Sequence, residues 1–315
     1  MDAIEIFKKL IGDRLEPLII KYLPYKDAFI THPYSHITDA NFEENFSDIL
    51  FDSIIFYAYE KDEIEKEYNT GHLSSLQRAS RVAYETRVPK TEKETDGLMG
   101  ELTLDAFIKL FFPNIELLYS RAKYIEKLPH KEATPARKGQ EIKGYDGMVF
   151  SIEDGQKYFW VGQVKTGIWS YCLDAIKDDI NKSIVKYYFG DSISIMCDIM
   201  RAANSSSPEL SKIIDNINEI IYDHIDDRET KTQKILDYFK KAQIKIRIPC
   251  LLMPDESNYS DSTQLLEIIK SKIHNAFSGF KVCNKDNLDI EILIMVFPLR
   301  DLKKARQFFL EARKV

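Results

Sequence analysis

Gln163 and Lys165 are separated by one residue in a run, Lys157 to Thr166, that reads as a β-strand, so their side chains share one face. A second strand-like run, Tyr145 to Ile152, precedes it, and Glu153-Asp154-Gly155-Gln156 connects the two. Asp-Gly at the centre of such a connection is a strong two-residue hairpin signal. With those two residues as the turn, Asp146 faces Gln163 across the ladder and shares its side with Lys165. A slip of one residue would turn Asp146 to the other face, so the turn assignment decides the convergence. Polar groups meeting on a hairpin that also carries Val149, Val161 and Val164 cost free energy unless something satisfies them. A divalent cation would do so. Magnesium prefers an all-oxygen shell, which Asp146, the amide oxygen of Gln163 and the backbone carbonyl of Val164 offer. A lysine beside such an ion could orient water or neutralise developing charge, as a hydrolytic reaction requires.

A fourth group comes from a helix expected over Asp96 to Phe112, which stops at Pro113. Gly97 and Gly100 clear one face of it so that its backbone approaches the sheet closely, and Glu101 follows at once. Glu101 completes the ring of acids around the metal, with Asp105 one turn further as an alternate. Two plainer readings stay open. Glu101 would also serve as an acid favoured by the helix dipole near an N-terminus, and Lys165 as the partner of Asp146 in a structural ion pair.

The surrounding elements alternate. A strand near Glu116 to Ser120 precedes the hairpin, and a helix from Trp169 to about Tyr188 follows it. A helical tract over about residues 193–241, interrupted by the stretch 202–208, has the look of an insertion. A strand at Ile244 to Met253, a helix at Thr263 to Phe277, a strand at Leu288 to Phe297 and a helix at Leu302 to Arg313 complete the chain. Residues 1–90 read as mainly helical: a helix over Ile4 to Leu23, an irregular aromatic stretch, an apolar run from Ile49 to Tyr59 and a helix over Ser74 to Thr86. The expectation is an α/β fold, a mixed sheet with helices around it, divided at about residue 90 or continuous.

The net charge of −6 argues against coating nucleic acid through the overall field. Contact with DNA must then be local, and the basic stretch 121–143 supplies candidates in Lys131, Arg137, Lys138 and Lys143. These would hold phosphates without reading bases. Four dispersed cysteines form no CxxC pair, which suits buried thiols in a reducing cytoplasm. No HExxH, GxSxG, GxGxxG or phosphate-binding GxxxxGK[ST] motif is present, so zinc hydrolase, serine hydrolase, dinucleotide-binding and ATPase readings have no support. A glycosidase pair is singled out by nothing. No run is long and apolar enough to span a bilayer, and no secretory leader is visible. A soluble cytoplasmic protein without a membrane partner is expected.

The order of motifs, GLMGEL on a helix, then KGYDGM and VGQVKTG on a strand pair, then a helix, resembles the PD-(D/E)XK restriction-endonuclease-like core. Glu101 matches its helical glutamate, Asp146 its metal-binding aspartate, and Gln163 with Lys165 its (E/Q)xK pair. Glutamine in place of the acid leaves one negative charge fewer at the metal. At full length the chain resembles the nuclease subunits of Hachiman anti-phage defence systems, through motifs over about residues 95–190 and general pattern elsewhere. The resemblance implies a magnesium-dependent deoxyribonuclease, with manganese able to substitute, that cuts with little sequence preference. It also implies a partner, a superfamily 2 helicase whose ATP hydrolysis controls access to DNA. Two alternatives remain: an inactive nuclease-fold subunit that docks DNA for the helicase, and a stand-alone restriction endonuclease.

Overall fold

The computed structural model of the chain describes residues 1–88, 95–112, 115–119, 147–183, 208–222, 228–282 and 288–312. Among the described residues, eight strands form a sheet in the order β1-β3-β8-β7-β6-β5-β4, with β2 paired to β3. The strands are β1 (Ile19–Lys21), β2 (Tyr25–Lys26), β3 (Ile30–His36), β4 (Ile115–Tyr119), β5 (Gly147–Glu153), β6 (Gln156–Gly167), β7 (Ile244–Pro254) and β8 (Ile290–Val296). The central β3, β8, β7 and β6 run parallel, whereas β1, β2, β5 and β4 join through antiparallel pairings. Parallel neighbours need crossovers. Helices α7 (Trp169–Ser183), α8 (Pro208–Tyr222) and α9 (Arg228–Lys241) lie between β6 and β7 in the chain, and α10 (Ser262–Phe277) lies between β7 and β8. The fold is therefore mixed α/β, as expected.

The first ninety residues differ from the sequence reading. The helix expected to reach Leu23 stops earlier: α1 (Ala3–Phe7) continues through a π-helical turn at Lys8–Gly12 and Asp13–Leu15 into one 3-10 turn, Glu16–Leu18. Pro17 sits in that last turn, β-branched Ile19 and Ile20 favour extended backbone, and Pro24 lies just beyond. The stretch read as irregular contains β3, which pairs in parallel with β8 from Ile30↔Leu293 to Pro33↔Val296. The apolar run Ile49 to Tyr59 is the end of α2 (Phe42–Asp52) and all of α3 (Ile54–Ala58), followed by α4 (Lys61–Asn69) and α5 (Leu76–Arg87). Of the inserted tract, α8 and α9 are described, and the interrupting stretch lies outside the described residues.

Two hydrophobic cores cover the two faces of the sheet. On one, α1 to α5, α6 (Thr95–Phe111) and α11 (Leu302–Glu311) bury Phe7, Phe46, Phe56, Phe107 and Phe309 with Trp160 and Val164 of β6. On the other, α7 to α10 bury Cys172, Ile176, Ile217, Phe239 and Ile269 with Phe159 and Val161. Strand alternation is legible here, because neighbouring residues of β6 belong to different cores. Trp160 donates through Nε1 to Ser151 Oγ at 2.9 Å, and the Arg247 guanidinium lies over the rings of Tyr158 and Trp160 while pairing with Glu153 and Glu291.

His32, on β3, is half-buried against Phe112. Burial, together with the charges of Lys21 and Arg247, pushes its imidazole down to about 4. The folded state thus keeps this ring neutral at pH values where the unfolded chain protonates it. Stability should fall as the pH is lowered from about 6.5 toward about 4, and that part of the slope should disappear in His32→Leu. Urea midpoints measured across this range for both proteins check it, and parallel slopes would contradict it.

Among the described residues, no helix is long and apolar enough to cross a membrane.

Candidate functional site

The hairpin β5–β6 sets the geometry. Its turn is Asp154 (φ +50°) and Gly155 (φ +78°), both left-handed, as a tight two-residue turn between twisted strands requires. The ladder runs from Glu153↔Gln156 to Gly147↔Gly162 without a shift. This is the register the Asp-Gly turn predicts. Asp146, one residue before Gly147, lies outside the described residues, as do Lys131, Arg137, Lys138 and Lys143.

Beyond Gly162, β6 continues through Gln163, Val164, Lys165 and Thr166, paired to β7 from Gln163↔Cys250 to Gly167↔Pro254. Its other flank, over 163–167, has no partner strand among the described residues. Gln163 is buried at 6% exposure, on the same face as Phe159 and Val161. Lys165 shares that face, and its Nζ lies 2.6 Å from Asp179 Oδ2 on α7. Asp179 was not singled out by the sequence, because no fixed spacing links a lysine at a strand end to an acid three turns into the next helix.

Glu101 arrives from the opposite side of the sheet. Its helix, α6, packs against the face of Val164 and Thr166, and Gly100 makes that approach possible. A Cβ on Gly100 would stand 2.9 Å from Thr166 Cγ2 and 3.1 Å from Val164 Cγ2. Two β-branched side chains on a strand cannot yield far, so Gly100→Ala should cost about 1–3 kcal/mol. The same change at Gly97, where an added Cβ would meet Glu101 Oε1 at an ordinary 3.6 Å, should not. Thermal melts of the two variants side by side check this, and equal stability would contradict it.

The Glu101 carboxylate is buried at 7% exposure and accepts a hydrogen bond from the Tyr57 hydroxyl through Oε2. Tyr57 belongs to the apolar run of α3, where nothing in the sequence marks it as polar support. Asp105, the alternate acid, is tied instead to Lys109 in a buried pair at 2.5 Å. On the Glu101 side, Arg306 of α11 donates through Nη2 to Thr166 Oγ1 at 2.7 Å, bringing a second cation to the end of β6. Cys172 packs beneath Lys165, its Sγ 3.5 Å from the Lys165 carbonyl, and burial pushes its thiol up to about 12. It is not a nucleophile at neutral pH. Cys250 is buried as well.

The structure thus brings Gln163 and Lys165 together on one face and Glu101 against the other. Side chains on opposite faces of a sheet can meet only past an edge, and the flank of β6 at 163–167 has no partner strand among the described residues. Gln163 and Glu101 offer an amide oxygen and a carboxylate, oxygen ligands that suit magnesium and not a thiolate-seeking metal. Among the described residues, no group of three His, Cys, Asp or Glu side chains is placed to hold a metal.

No curated protein and no solved structure is matched by the chain. A family model described as HamA matches residues 25–312, nearly the whole chain.

Proposed function

The chain belongs to the HamA family, the nuclease-like subunits of Hachiman anti-phage defence, and from that membership we propose that it is the metal-dependent DNA-cutting effector of such a system. The observation that supports this reading is the hairpin register. It runs unbroken to Gly147↔Gly162, and in the proposed site Asp146, which lies outside the described residues, would follow the same register and face Gln163. Helix, hairpin and following helix then make up a PD-(D/E)XK-type core.

In this reading Asp146 and the amide oxygen of Gln163, with Glu101 and the Val164 carbonyl, would hold magnesium or manganese. The ion, when bound, lowers the pKa of a coordinated water and polarises the phosphate. The chain's own residues do the rest. Lys165, held by Asp179, presents its ammonium to the charge that develops on the phosphate. Tyr57 fixes the Glu101 carboxylate in one orientation. Arg306 braces the end of β6 through Thr166. The basic residues Lys131, Arg137, Lys138 and Lys143 would grip neighbouring phosphates, which predicts little base preference. The proposed partners are DNA and a superfamily 2 helicase of the same system.

A ligand that binds only the folded state raises its stability. Magnesium and manganese should therefore raise the melting temperature of the wild type and leave Asp146→Asn unmoved. The same rise in both proteins, or no rise in either, would count against the metal site and favour a DNA-docking subunit without chemistry.

A further inference from the structure

The neighbouring parallel strands β7 and β8 send the chain to opposite faces of the sheet. After β7 it enters α10, which packs Leu265, Ile269 and Ile273 into one core, and after β8 it enters α11, which packs Leu302, Ala305 and Phe309 into the other. Where connections diverge in this way, ligands of open α/β sheets favour the crevice outside the carboxyl ends of the strands. A bridge, Asp255↔Leu299, ties the two loops at their start, and the Glu256 amide donates to the Leu299 carbonyl at 2.8 Å. Beyond it Tyr259, from the loop after β7, meets Arg300, from the loop after β8. The Arg300 guanidinium carbon lies 4.5 Å from the centre of the Tyr259 ring. Arg300 is half-buried, its Nε is enclosed without an acceptor, and among the described residues no carboxylate pairs with it. The acids of this end are engaged elsewhere. Asp255 accepts from the Leu302 amide at 3.3 Å, and Glu256 from Trp169 Nε1 at 3.1 Å and the Asn258 amide at 2.8 Å. Asp261 and Asp301 cap α10 and α11, and Glu43 lies 3.8 Å from the Lys304 ammonium.

We propose that Arg300, seated on Tyr259 at the carboxyl ends of β7 and β8, binds a phosphate group of a nucleotide or of DNA. A half-buried cation without a counter-ion costs free energy, so its retention points to an anion that completes the site. The ring covers one face of the guanidinium and leaves its edge, which matches the oxygens of a phosphate two at a time. Tyr259 is itself held. His36 Nδ1 lies 2.8 Å from the Ile37 carbonyl and its Nε2 lies 3.3 Å from the Tyr259 hydroxyl. Burial keeps this imidazole below its ordinary value, so the neutral ring donates to the carbonyl and accepts the phenol's proton. Stacking on Phe42, with ring centres 4.0 Å apart, fixes His36 in turn. The choice of phosphate over another oxyanion rests on the nuclease reading above; the unpaired arginine and the diverging loops do not.

The test compares thermal melts of the full chain in sodium chloride, phosphate and acetate at equal ionic strength, with EDTA present so that the metal site stays out of the reading. Phosphate at ten times its half-saturating concentration should raise the wild-type melting temperature by about 2–4 °C. Arg300→Met should lose that rise, yet melt no lower than the wild type in chloride, because it discards an unpaired charge. Arg300→Lys keeps the charge without the fork and should recover only part of the rise. No saturable rise in the wild type, or the same rise in Arg300→Met, overturns the proposal. So does an equal rise in acetate, and so does an Arg300→Met that melts several degrees lower in chloride, which would make the arginine structural. A deoxynucleoside monophosphate and a duplex without terminal phosphates, titrated in the same way, name the source: whichever binds more tightly through Arg300 supplies the phosphate. Because no cleavage is read, Arg300-dependent binding by a protein that never cuts DNA would sink the nuclease reading and leave this site standing.

Discussion

Lys165→Ala should lose DNA cleavage by at least about 10²–10³-fold while its melting temperature stays close to that of the wild type. The size follows from removing one preorganised charge from a developing oxyanion. The effect on stability follows from position: the lysine side chain is 20% exposed and its acid partner Asp179 is 27% exposed, so losing the pair should cost less than losing the more deeply buried Lys109–Asp105 pair. The decisive control is Asp179→Asn. If Lys165 served only as a structural partner, either substitution would leave cleavage untouched. If it acts on the phosphate, Asp179→Asn should slow the reaction modestly, because it loosens the ammonium without removing it. Cleavage by Lys165→Ala at the wild-type rate would remove this residue from the chemistry.

Lys109→Ala should be the most damaging single change to stability, costing about 3–5 kcal/mol. Lys109 Nζ sits 2.5 Å from Asp105 Oδ2, with side-chain exposures of only 6% and 8%, and also donates to the Phe56 carbonyl at 3.1 Å. Burial pulls the Lys109 ammonium below its ordinary value and Asp105 opposes that. Removing the lysine leaves a buried carboxylate without its partner, at a site where Lys109 lies over the Phe7 ring and against the Phe56 carbonyl. The double variant Lys109→Met/Asp105→Leu replaces the pair by apolar volume and should lie within about 1–2 kcal/mol of the wild type. Denaturant midpoints at unchanged slope separate the cases. A double variant as unstable as the single would show that packing, and not the orphaned charge, sets the cost.

The hairpin was legible because its turn chemistry and its alternation agree. Asp154-Gly155 fixes the register, and Phe159, Val161 and Gln163 fall on one face while Trp160 and Val164 fall on the other. The long helix with Gly100 was legible for a similar reason, since a glycine three residues after Gly97 and just before an acid has few other uses. What was missed lies where sequence neighbours do not determine spatial ones. Ile30 to His36 reads as irregular because Pro33 and two histidines break its alternation, yet pairing with β8 makes it a central strand. Asp179 and Arg306 reach the end of β6 from α7 and α11, 14 and 141 positions away from Lys165, and only tertiary packing brings them there. That Glu101 sits across the sheet from Lys165 was equally beyond a one-dimensional reading, because Gly100 reveals close approach without revealing to which face.

The central claim, a metal-dependent DNA-cutting site completed by Asp146, is tested most directly by incubating plasmid and linear DNA with wild type and Asp146→Ala. Each protein would be assayed alone and with the partner helicase and ATP, in magnesium and in EDTA. The account predicts cleavage by the wild type in magnesium only, and none by a folded Asp146→Ala in any mixture. Cleavage by Asp146→Ala at the wild-type rate, or an inert wild type in a fully assembled complex, would contradict it.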